Sequence, residues 1–503
     1  MDEADVLVIG DGVLGMSLAF ALADSSPRPR IALVGRDDPA HPAASAAAGA
    51  MLGVVGEITA SSLRTANSRA RTALTLAAAR RWPAWRERIH ATGRSAAGAR
   101  LRLEDGFGRG TFVLLNGASG RLDDESFAAM HAYAEQIGEP VESVDPADIP
   151  HYRPYEADRA TRAIYLPNEG YLDARRWLAL LGSALDALPG VRRYRSRRPT
   201  PVPDDHRYII DLGDRRIAAD RVVIAAGVWS ARIAQGFRPG LHILPVISGA
   251  GTALRVRSNT PYRAVLRTPN RSFACGLHTV PQADGSIYLG ATNNVTLSPD
   301  RLGTLSNLHY LSQCMTGQFH ENLATASVEQ IHFGNRPIGI DAYPLLGATT
   351  APGCWMATGT YREGLNCSPV IAEEIAADIL NLPSENLLSA QFSPERAPLI
   401  EWTADEAITE ATRHCHALTV ETGMRPPVMG RWPEWLRAMY RDTLTRVYAD
   451  LPDGFVLHPE LSPLAYEQGP ELAQLVRAYC GTAPAGARRA AGEMRIRLRS
   501  PMP

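Results

Sequence analysis

Lysine is absent from the 503-residue sequence, so arginine supplies all 52 of its cationic side chains. A chain without lysine cannot form a lysine Schiff base and cannot use the phosphate-binding lysine of a P-loop. Acids nearly balance the arginines, because the formal net charge is −1. This balance provides no basic excess for a polyanion, and we expect no nucleic-acid partner.

Cysteine is scarce, and long apolar runs are missing. The six cysteines form no C-x-x-C pair and lack zinc-ligand spacing, which predicts no metal site; they are Cys275, Cys314, Cys354, Cys367, Cys415 and Cys480. The acidic start Met-Asp-Glu-Ala-Asp differs from a secretory signal. These features predict buried thiols in a reducing, cytoplasmic compartment. No uninterrupted apolar run reaches about 18 residues, so we expect no membrane span.

The first 34 residues have the pattern of a βαβ unit. Val6–Ile9 predicts a buried strand, Val13–Ala23 a helix and Arg30–Val34 a second strand. The turn between the first strand and the helix is G-x-G-x-x-G, made of Gly10, Asp11, Gly12, Val13, Leu14 and Gly15. Its glycines allow the tight turn, the approach of a pyrophosphate and close helix–strand packing. The following helix N-terminus offers free N–H groups to phosphates. We therefore predict a dinucleotide site.

One position departs from this fingerprint. An acidic residue usually ends the second strand and binds the adenosine ribose. Here Val34 is followed by Gly35 and Arg36. Arg36 would suit the 2′-phosphate of NADP. The alternatives are that Asp37 or Asp38 replaces the missing acid, or that backbone groups suffice.

The remaining elements follow from periodicity. An alternating pattern from Leu241 to Asn294 predicts an antiparallel sheet, and Arg221–Ala226 predicts a strand. Arg94–Gly110 predicts a loop, and the composition of Ala483–Pro503 predicts disorder. Amphipathic or apolar periodicity predicts helices at Thr65–His90, Arg176–Leu188, Val370–Leu380, Ala404–Thr419, Trp432–Leu451 and Pro470–Tyr479.

Several further motifs occur in a fixed order. They are the small-residue loop Ser45–Leu52, Gly170-Tyr171-Leu172-Asp173, Ala225-Ala226-Gly227-Val228-Trp229-Ser230, His278–Pro281, Leu289–Thr292, Arg336-Pro337, Pro344–Gly347 and Gly359–Gly364. Together they resemble the D-amino-acid oxidase family of flavoproteins from about Asp5 to Leu382, and within it glycine oxidase. The order and spacing of the motifs favour FAD over NADP.

The resemblance implies an α/β fold. It consists of a Rossmann-type FAD-binding domain (1–90, 150–235 and 330–385), an antiparallel-sheet substrate domain (91–149 and 236–329) and a helical C-terminal extension (393–503). It also implies non-covalent FAD, because the sarcosine oxidases of the family use a linking cysteine near position 336 and a lysine that activates oxygen. The expected cofactor-binding residues are Gly10, Gly12, Val13, Leu14, Gly15, Arg36, Ser45, Ala46, Ala48, Gly49, Met51, Leu52, Ala226, Gly227, Trp229, Gly359, Gly364 and Leu365.

Four residues match substrate-side positions of the family. Arg336 matches the arginine that binds the substrate carboxylate, for which a guanidinium is suited by its bidentate geometry. Arg362 matches a second arginine, with an ion pair to Glu363 or another acid as the alternative. His278 replaces a tyrosine near the substrate, with a structural histidine as the alternative. Asn293 replaces an apolar residue, which argues against plain glycine as substrate.

The implied activity is oxidation of the C–N bond of glycine or an N-carboxymethyl amino acid. Hydride transfer to flavin N5 would give glyoxylate, the released amine and, with oxygen, hydrogen peroxide. Similar enzymes of macrolactam (cremimycin-type) antibiotic pathways process an N-carboxymethyl β-amino acid. The alternatives are a D-amino-acid or sarcosine-type oxidase or dehydrogenase, a tRNA-trimming flavin domain and a non-catalytic flavoprotein. Expected partners are a small amine or amino acid and oxygen, with homo-oligomer formation open.

Overall fold

The βαβ unit at the N-terminus is present in the computed structural model, which describes residues 1–37, 43–97, 106–270, 276–300, 302–421 and 431–482. The strands are β1 (Asp2–Ile9), β2 (Ile31–Arg36), β3 (Met51–Leu52), β4 (Gly108–Leu115), β5 (Glu142–Val144), β6 (Arg162–Tyr171), β7 (Val191–Ser196), β8 (Thr200–Val202), β9 (Tyr208–Asp211), β10 (Arg216–Ile224), β11 (Val246–Arg257), β12 (Val265–Arg267), β13 (His278–Pro281), β14 (Ile287–Gly290), β15 (Asn294–Thr296), β16 (Ser327–Gly339), β17 (Leu345–Ala348) and β18 (Cys354–Thr358). The helices are α1 (Val13–Asp24), α2 (Ala66–Ala97), α3 (Arg121–Ile137), α4 (Ala174–Ala187), α5 (Ser230–Phe237), α6 (Leu305–Gln318), α7 (Ser368–Leu380), α8 (Ala404–Glu421), α9 (Trp432–Ala449) and α10 (Ser462–Thr482).

The first sheet contains the dinucleotide-binding unit. Its strand order is β17-β18-β10-β1-β2-β7, with β9 paired to β10 and β8 paired to β9. β1 is parallel to both β2 and β10, as expected for a buried Rossmann-type strand. Val6 and Val8 belong to an apolar cluster with residues of α1, α4 and α7, whereas Leu7 and Ile9 belong to a second cluster that extends to the C-terminal helices. Because successive side chains of a strand point to opposite faces, the continuous apolar run of β1 reflects burial on both sides.

The second sheet is mixed. Its order is β15-β11-β14-β13-β12-β4-β6-β3, with β16 beside β11 and β5 beside β6. β13 and β14 form the antiparallel hairpin expected from the sequence. β11, β12, β13 and β14 pair with one another in antiparallel fashion, as the alternating pattern predicts, whereas β12 pairs in parallel with β4 from an earlier chain segment. β6 and most of β16 lie in the segments 150–235 and 330–385, which the sequence analysis assigns to the FAD-binding domain, although both strands belong to the second sheet. The division of the chain into domains remains a prediction.

Several predicted boundaries need correction. α2 runs to Ala97 and β4 begins at Gly108, so a loop over all of Arg94–Gly110 is wrong at both ends. Residues 98–105 of this segment lie outside the described residues. α10 begins at Ser462, eight residues before its predicted start, because the chain is helical on both sides of a break at Gln468. The predicted disordered tail, 483–503, also lies outside the described residues.

Two predictions from composition can be compared with the structure. Cys314, Cys354, Cys367 and Cys415 are buried, but Cys480 on α10 is exposed, so a uniformly buried set of thiols is wrong. Cys480 follows the buried Tyr479 on an amphipathic helix, which turns it outward. Cys275 lies outside the described residues. Among the helices of the described ranges, none has the length and apolarity needed to cross a bilayer.

Candidate active site

A cavity of about 850 Å³ extends from the glycine-rich turn after β1 to β16 and the loop before α7. Fourteen of the residues predicted to bind the cofactor lie on its wall: Gly10, Gly12, Val13, Leu14, Arg36, Ser45, Ala48, Gly49, Met51, Ala226, Gly227, Trp229, Gly364 and Leu365. Within the described ranges, the wall does not include Gly15, Ala46, Leu52 and Gly359. Gly15 lies behind the wall, where the lack of a side chain allows close packing within the turn.

The glycine-rich turn has the close contacts that the fingerprint requires. Gly10 has a φ of +114°, and a Cβ atom there would lie 2.3 Å from the carbonyl oxygen of Ala225. A Cβ atom at Gly15 would lie 1.8 Å from the carbonyl oxygen of Gly10. α1 begins at Val13, whose N–H donates to Ser45 Oγ at 3.0 Å. The N-terminus of α1 therefore lies at the cavity wall, where its dipole favours phosphate.

A buried carboxylate anchors the chain that follows the small-residue loop. Glu169 Oε1 accepts hydrogen bonds from the N–H groups of Val54, Val55 and Gly56 at 2.9, 2.7 and 2.7 Å. Burial raises the pKa of Glu169, while these N–H groups oppose that rise. The sequence analysis missed Glu169, although it directly precedes the Gly170-Tyr171 motif. It fixes the backbone immediately after β3.

Arg336 lies on the cavity wall and is held in a defined orientation. It stands opposite Gly249 in the β11–β16 ladder. Its Nη1 donates to the carbonyl oxygen of Thr292 at 3.0 Å and to Asn293 Oδ1 at 3.2 Å. A Cβ atom at Gly251 would lie 2.4 Å from Nη1, so this glycine provides the room for the guanidinium. A fixed guanidinium on a cavity wall is suited to binding a carboxylate.

Asn293 connects Arg336 to the loop before α7. Its Nδ2 donates to the hydroxyl of Tyr361 at 2.5 Å, while its Oδ1 accepts from Arg336. Tyr361 has a φ of +52°, and its N–H donates to the carbonyl oxygen of Pro337. Arg336 and Tyr361 line the cavity, whereas Asn293 is not among the described residues that line it. The polar residue at position 293 therefore supports the wall from behind.

Arg362 forms the ion pair that the sequence analysis left as an alternative. Its guanidinium lies 3.5 Å from the carboxylate of Glu460 and 4.7 Å from the ring centroid of Tyr361. The neighbouring Glu363 is paired with Arg71 at 3.8 Å. Arg362 still lies on the cavity wall, next to Tyr361, and its charge is balanced by Glu460 of the C-terminal extension.

His278 lies on the wall as a neutral, buried imidazole. Its Nδ1 donates to the carbonyl oxygen of Gly276 at 2.8 Å, and its ring stacks on Tyr288. Burial lowers the pKa of His278 to about 4. With the proton on Nδ1, Nε2 is a hydrogen-bond acceptor. A Cβ atom at Gly49 would lie 2.8 Å from Nε2, so the imidazole supports the small-residue loop.

A second buried ion pair was not found from the sequence. Arg267 Nη1 lies 2.7 Å from Glu57 Oε1, and Asn270 Nδ2 donates to Glu57 Oε2 at 2.9 Å. Burial opposes ionisation of Glu57, but Arg267 and Arg362 lower its pKa to about 2. Glu57 lies on the cavity wall, which also carries the acidic residues Asp11 and Glu363 and several arginines.

Comparison with known proteins identifies the class to which this fold and cavity belong. Residues 5–378 match the model of the D-amino-acid oxidase (DAO) family, described as FAD dependent oxidoreductase, and the chain belongs to this family. It is similar to the glycine oxidase of Geobacillus kaustophilus (strain HTA426), with 28% identity over 398 residues that cover 78% of this chain and 97% of the relative. The chain is thus a glycine-oxidase-like, FAD-dependent oxidoreductase that acts on an amine or amino acid.

Solved structures show the same fold. The crystal structure of glycine oxidase from Geobacillus kaustophilus matches with a TM-score of 0.65 and 25% identity, over 80% of this chain and all of that one. Iminodiacetate oxidase from Chelativorans sp. BNC1 matches with a TM-score of 0.63 and 22% identity, over 78% of this chain and all of the other. The second likeness concerns the fold alone. The family's FAD fits the cavity, since the glycine-rich turn and the N-terminus of α1 form one end of it.

Proposed function

We propose that the protein oxidises the C–N bond of a glycine unit with a free carboxylate, and that an N-carboxymethyl amino acid is a better substrate than glycine. The observation that carries this proposal is the guanidinium of Arg336 on the cavity wall, held by Thr292 and Asn293. A carboxylate bound there would form charge-assisted hydrogen bonds, which fix direction as well as position.

The protein's contribution to the reaction is orientation. FAD, when bound, supplies the hydride acceptor for the carbon next to the amine nitrogen. Arg336 holds the carboxylate of that same carbon unit and so limits how the C–H bond can point. His278 stays neutral at physiological pH because its pKa is lowered to about 4, so it adds no positive charge beside the amine. The expected products are glyoxylate and the released amine, with hydrogen peroxide when oxygen is the final acceptor.

A second arginine on the wall supports the preference for an N-carboxymethyl amino acid. Arg336 and Arg362 both lie on the cavity wall. Asn293 bonds to both Arg336 and Tyr361, and the ring of Tyr361 lies next to Arg362. Glycine has one carboxylate and would use only one of these arginines. An N-carboxymethyl amino acid has two carboxylates, and the second one would bind remaining N–H groups of Arg362, whose guanidinium keeps its ion pair with Glu460. The glycine oxidase relative supports the glycine unit as the part that is oxidised.

The test is anaerobic flavin bleaching with a matched set of amines. The set is glycine, N-methylglycine, an N-carboxymethyl β-amino acid, the methyl ester of its glycine unit, and D-alanine. We expect the N-carboxymethyl compound to bleach the flavin with the highest kcat/KM, and its ester to be poor because it lacks the charge that Arg336 binds. Glyoxylate and the free β-amino acid should appear in equal amounts.

The other outcomes decide between the alternatives. Faster bleaching by D-alanine would assign a D-amino-acid oxidase. An ester as good as the acid would contradict the role of Arg336. A flavin that dithionite reduces but no amine bleaches would support a non-catalytic flavoprotein.

A further inference from the structure

The missing acid at the end of β2 is replaced in space by another carboxylate. Gly35 occupies the position where such folds usually carry an acidic residue for the adenosine ribose, about 20 residues beyond the glycine-rich turn. A Cβ atom at Gly35 would lie 2.2 Å from Oδ2 and 2.3 Å from Cγ of Asp11. The carboxylate of Asp11 therefore fills the space into which a side chain at position 35 would project.

Asp11 is placed at the cofactor end of the cavity. It is the second residue of the glycine-rich turn, and the N–H of Gly10 donates to the carbonyl oxygen of Val34 at 2.8 Å, which ties the turn to the end of β2. Asp11 lies on the cavity wall, and its side chain is 19% exposed. The adenosine part of a dinucleotide is bound at this strand end in such folds.

Nearby charges leave the Asp11 carboxylate available to hydroxyl donors. Arg195, which stands opposite Gly35 in the β2–β7 ladder, lies 3.2 Å from Asp11 Oδ2. A carboxylate accepts about four hydrogen bonds, so this ion pair leaves capacity for a ribose. The guanidinium of Arg36, also on the cavity wall, lies 5.1 Å from the ring centroid of Trp229.

We propose that Asp11 binds the adenosine ribose of FAD in place of the usual acid at the end of β2, and that Gly35 is required because it makes room for Asp11. The 2′-hydroxyl donates to the Asp11 carboxylate. A carboxylate at this place accepts hydrogen bonds from free ribose hydroxyls and disfavours a 2′-phosphate, which argues against the NADP alternative raised by Arg36. The proposal concerns cofactor binding and does not depend on the identity of the amine substrate.

The test measures FAD binding to apoprotein by flavin fluorescence, for FAD and for an FAD analogue without the 2′-hydroxyl of the adenosine ribose. We expect wild type to bind the analogue about 10- to 100-fold more weakly, the range for losing a hydrogen bond to a charged group. Asp11→Asn should bind FAD more weakly by a similar factor and should discriminate less between the two cofactors. Asp37→Asn, which changes an exposed acid near the same strand end, should behave as wild type.

Gly35→Ala tests the spatial relationship directly. The added methyl group would meet the end of a side chain, so we expect it to displace the Asp11 carboxylate and lower FAD affinity about tenfold or more. In an Asp11→Ala background the same change should cost little, and Asp11→Ala with Gly35→Glu should recover part of the affinity.

Three results would overturn the assignment. They are equal affinity of wild type for both cofactors, undiminished discrimination in Asp11→Asn, and loss of FAD in Asp37→Asn alone. The first needs no variant, so the proposal stays testable if a substitution at the turn prevents folding.

Discussion

The carboxylate of Glu460 lies 3.5 Å from the guanidinium of Arg362, and the two side chains are only 11% and 12% exposed. Glu460 belongs to the C-terminal helical part, just before α10, whereas Arg362 lies on the cavity wall before α7. The contact joins the C-terminal extension to the candidate active site. Apolar residues of the extension also belong to the same continuous core cluster as those of β1 and β10. The family match ends at residue 378, so this connection is made by a part of the chain beyond it.

Removal of Glu460 should weaken both the fold and the site. Glu460→Ala breaks the buried ion pair between Glu460 and Arg362, and breaking such a pair typically costs about 3–5 kcal/mol of stability. We expect a lower Tm and a higher KM, with Glu460→Asp intermediate. Glu467→Gln, on the exposed side of α10, is the matched control. Unchanged Tm and KM in Glu460→Ala would show that the extension does not support Arg362.

Substitution of Arg336 should weaken substrate binding and leave FAD binding unchanged. Loss of a charge-assisted partner in a partly desolvated site costs about 2–5 kcal/mol, or roughly 30- to several-thousand-fold in kcat/KM. Arg336→Lys should recover only part, because lysine lacks the planar fork. The measurement is anaerobic flavin reduction across substrate concentrations, with Arg257→Ala, an exposed arginine at the end of β11, as control. If flavin reduction in Arg336→Ala depends on substrate concentration as in wild type, Arg336 does not bind the substrate carboxylate, and Arg362 becomes the candidate for that role.

The hydrogen bonds from Asn293 should act through Arg336. Asn293→Ala and Tyr361→Phe each remove part of the same network, at about 1 kcal/mol or roughly fivefold in KM. The double variant should cost less than the sum, because contacting residues couple. Asn294→Ala changes the exposed neighbour and serves as control. Additive effects in the double variant would contradict a shared network.

Stability should depend on pH through His278. Its folded pKa of about 4 lies below the ordinary value of about 6.5, so the unfolded chain takes up the proton first. The contribution of His278 to the free energy of unfolding is therefore fully present above about pH 6.5 and decreases as the pH drops toward 4. Between pH 7 and 4.5 this group should remove about 2–3 kcal/mol from the free energy of unfolding.

The measurement for His278 is urea unfolding at the two pH values. His278→Gln should lose its part of the pH dependence, whereas His206→Gln, at an exposed position, should keep it. An identical pH dependence in wild type and His278→Gln would refute the assignment.

The flavin should be released intact by acid or heat. Position 336 is arginine, where covalent relatives have the linking cysteine nearby, and the buried Cys367 has a pKa raised well above its usual value by burial, which disfavours a reactive thiolate. Centrifugation after trichloroacetic acid treatment should leave all yellow colour in the supernatant. Flavin fluorescence in the precipitated protein band would contradict non-covalent binding.

The sequence alone determined the βαβ unit, the family and the order of the motifs. These features are local: the glycine positions of the turn follow from backbone contacts within a few residues, and the apolar run of β1 follows from burial on both faces. Arg336 and Arg362 were also found from local motifs, and both lie on the cavity wall. Their roles with the substrate remain predictions.

Only the tertiary structure decided which residues meet across the chain. Glu460 reaches Arg362 over nearly 100 positions, and Glu169 reaches Val54 over 115. No sequence periodicity encodes such pairs, because their partners are brought together by sheet pairing and helix docking. The same holds for Asp11 and Gly35: the sequence shows an acid missing at the end of β2, and only the folded turn places another carboxylate in its space.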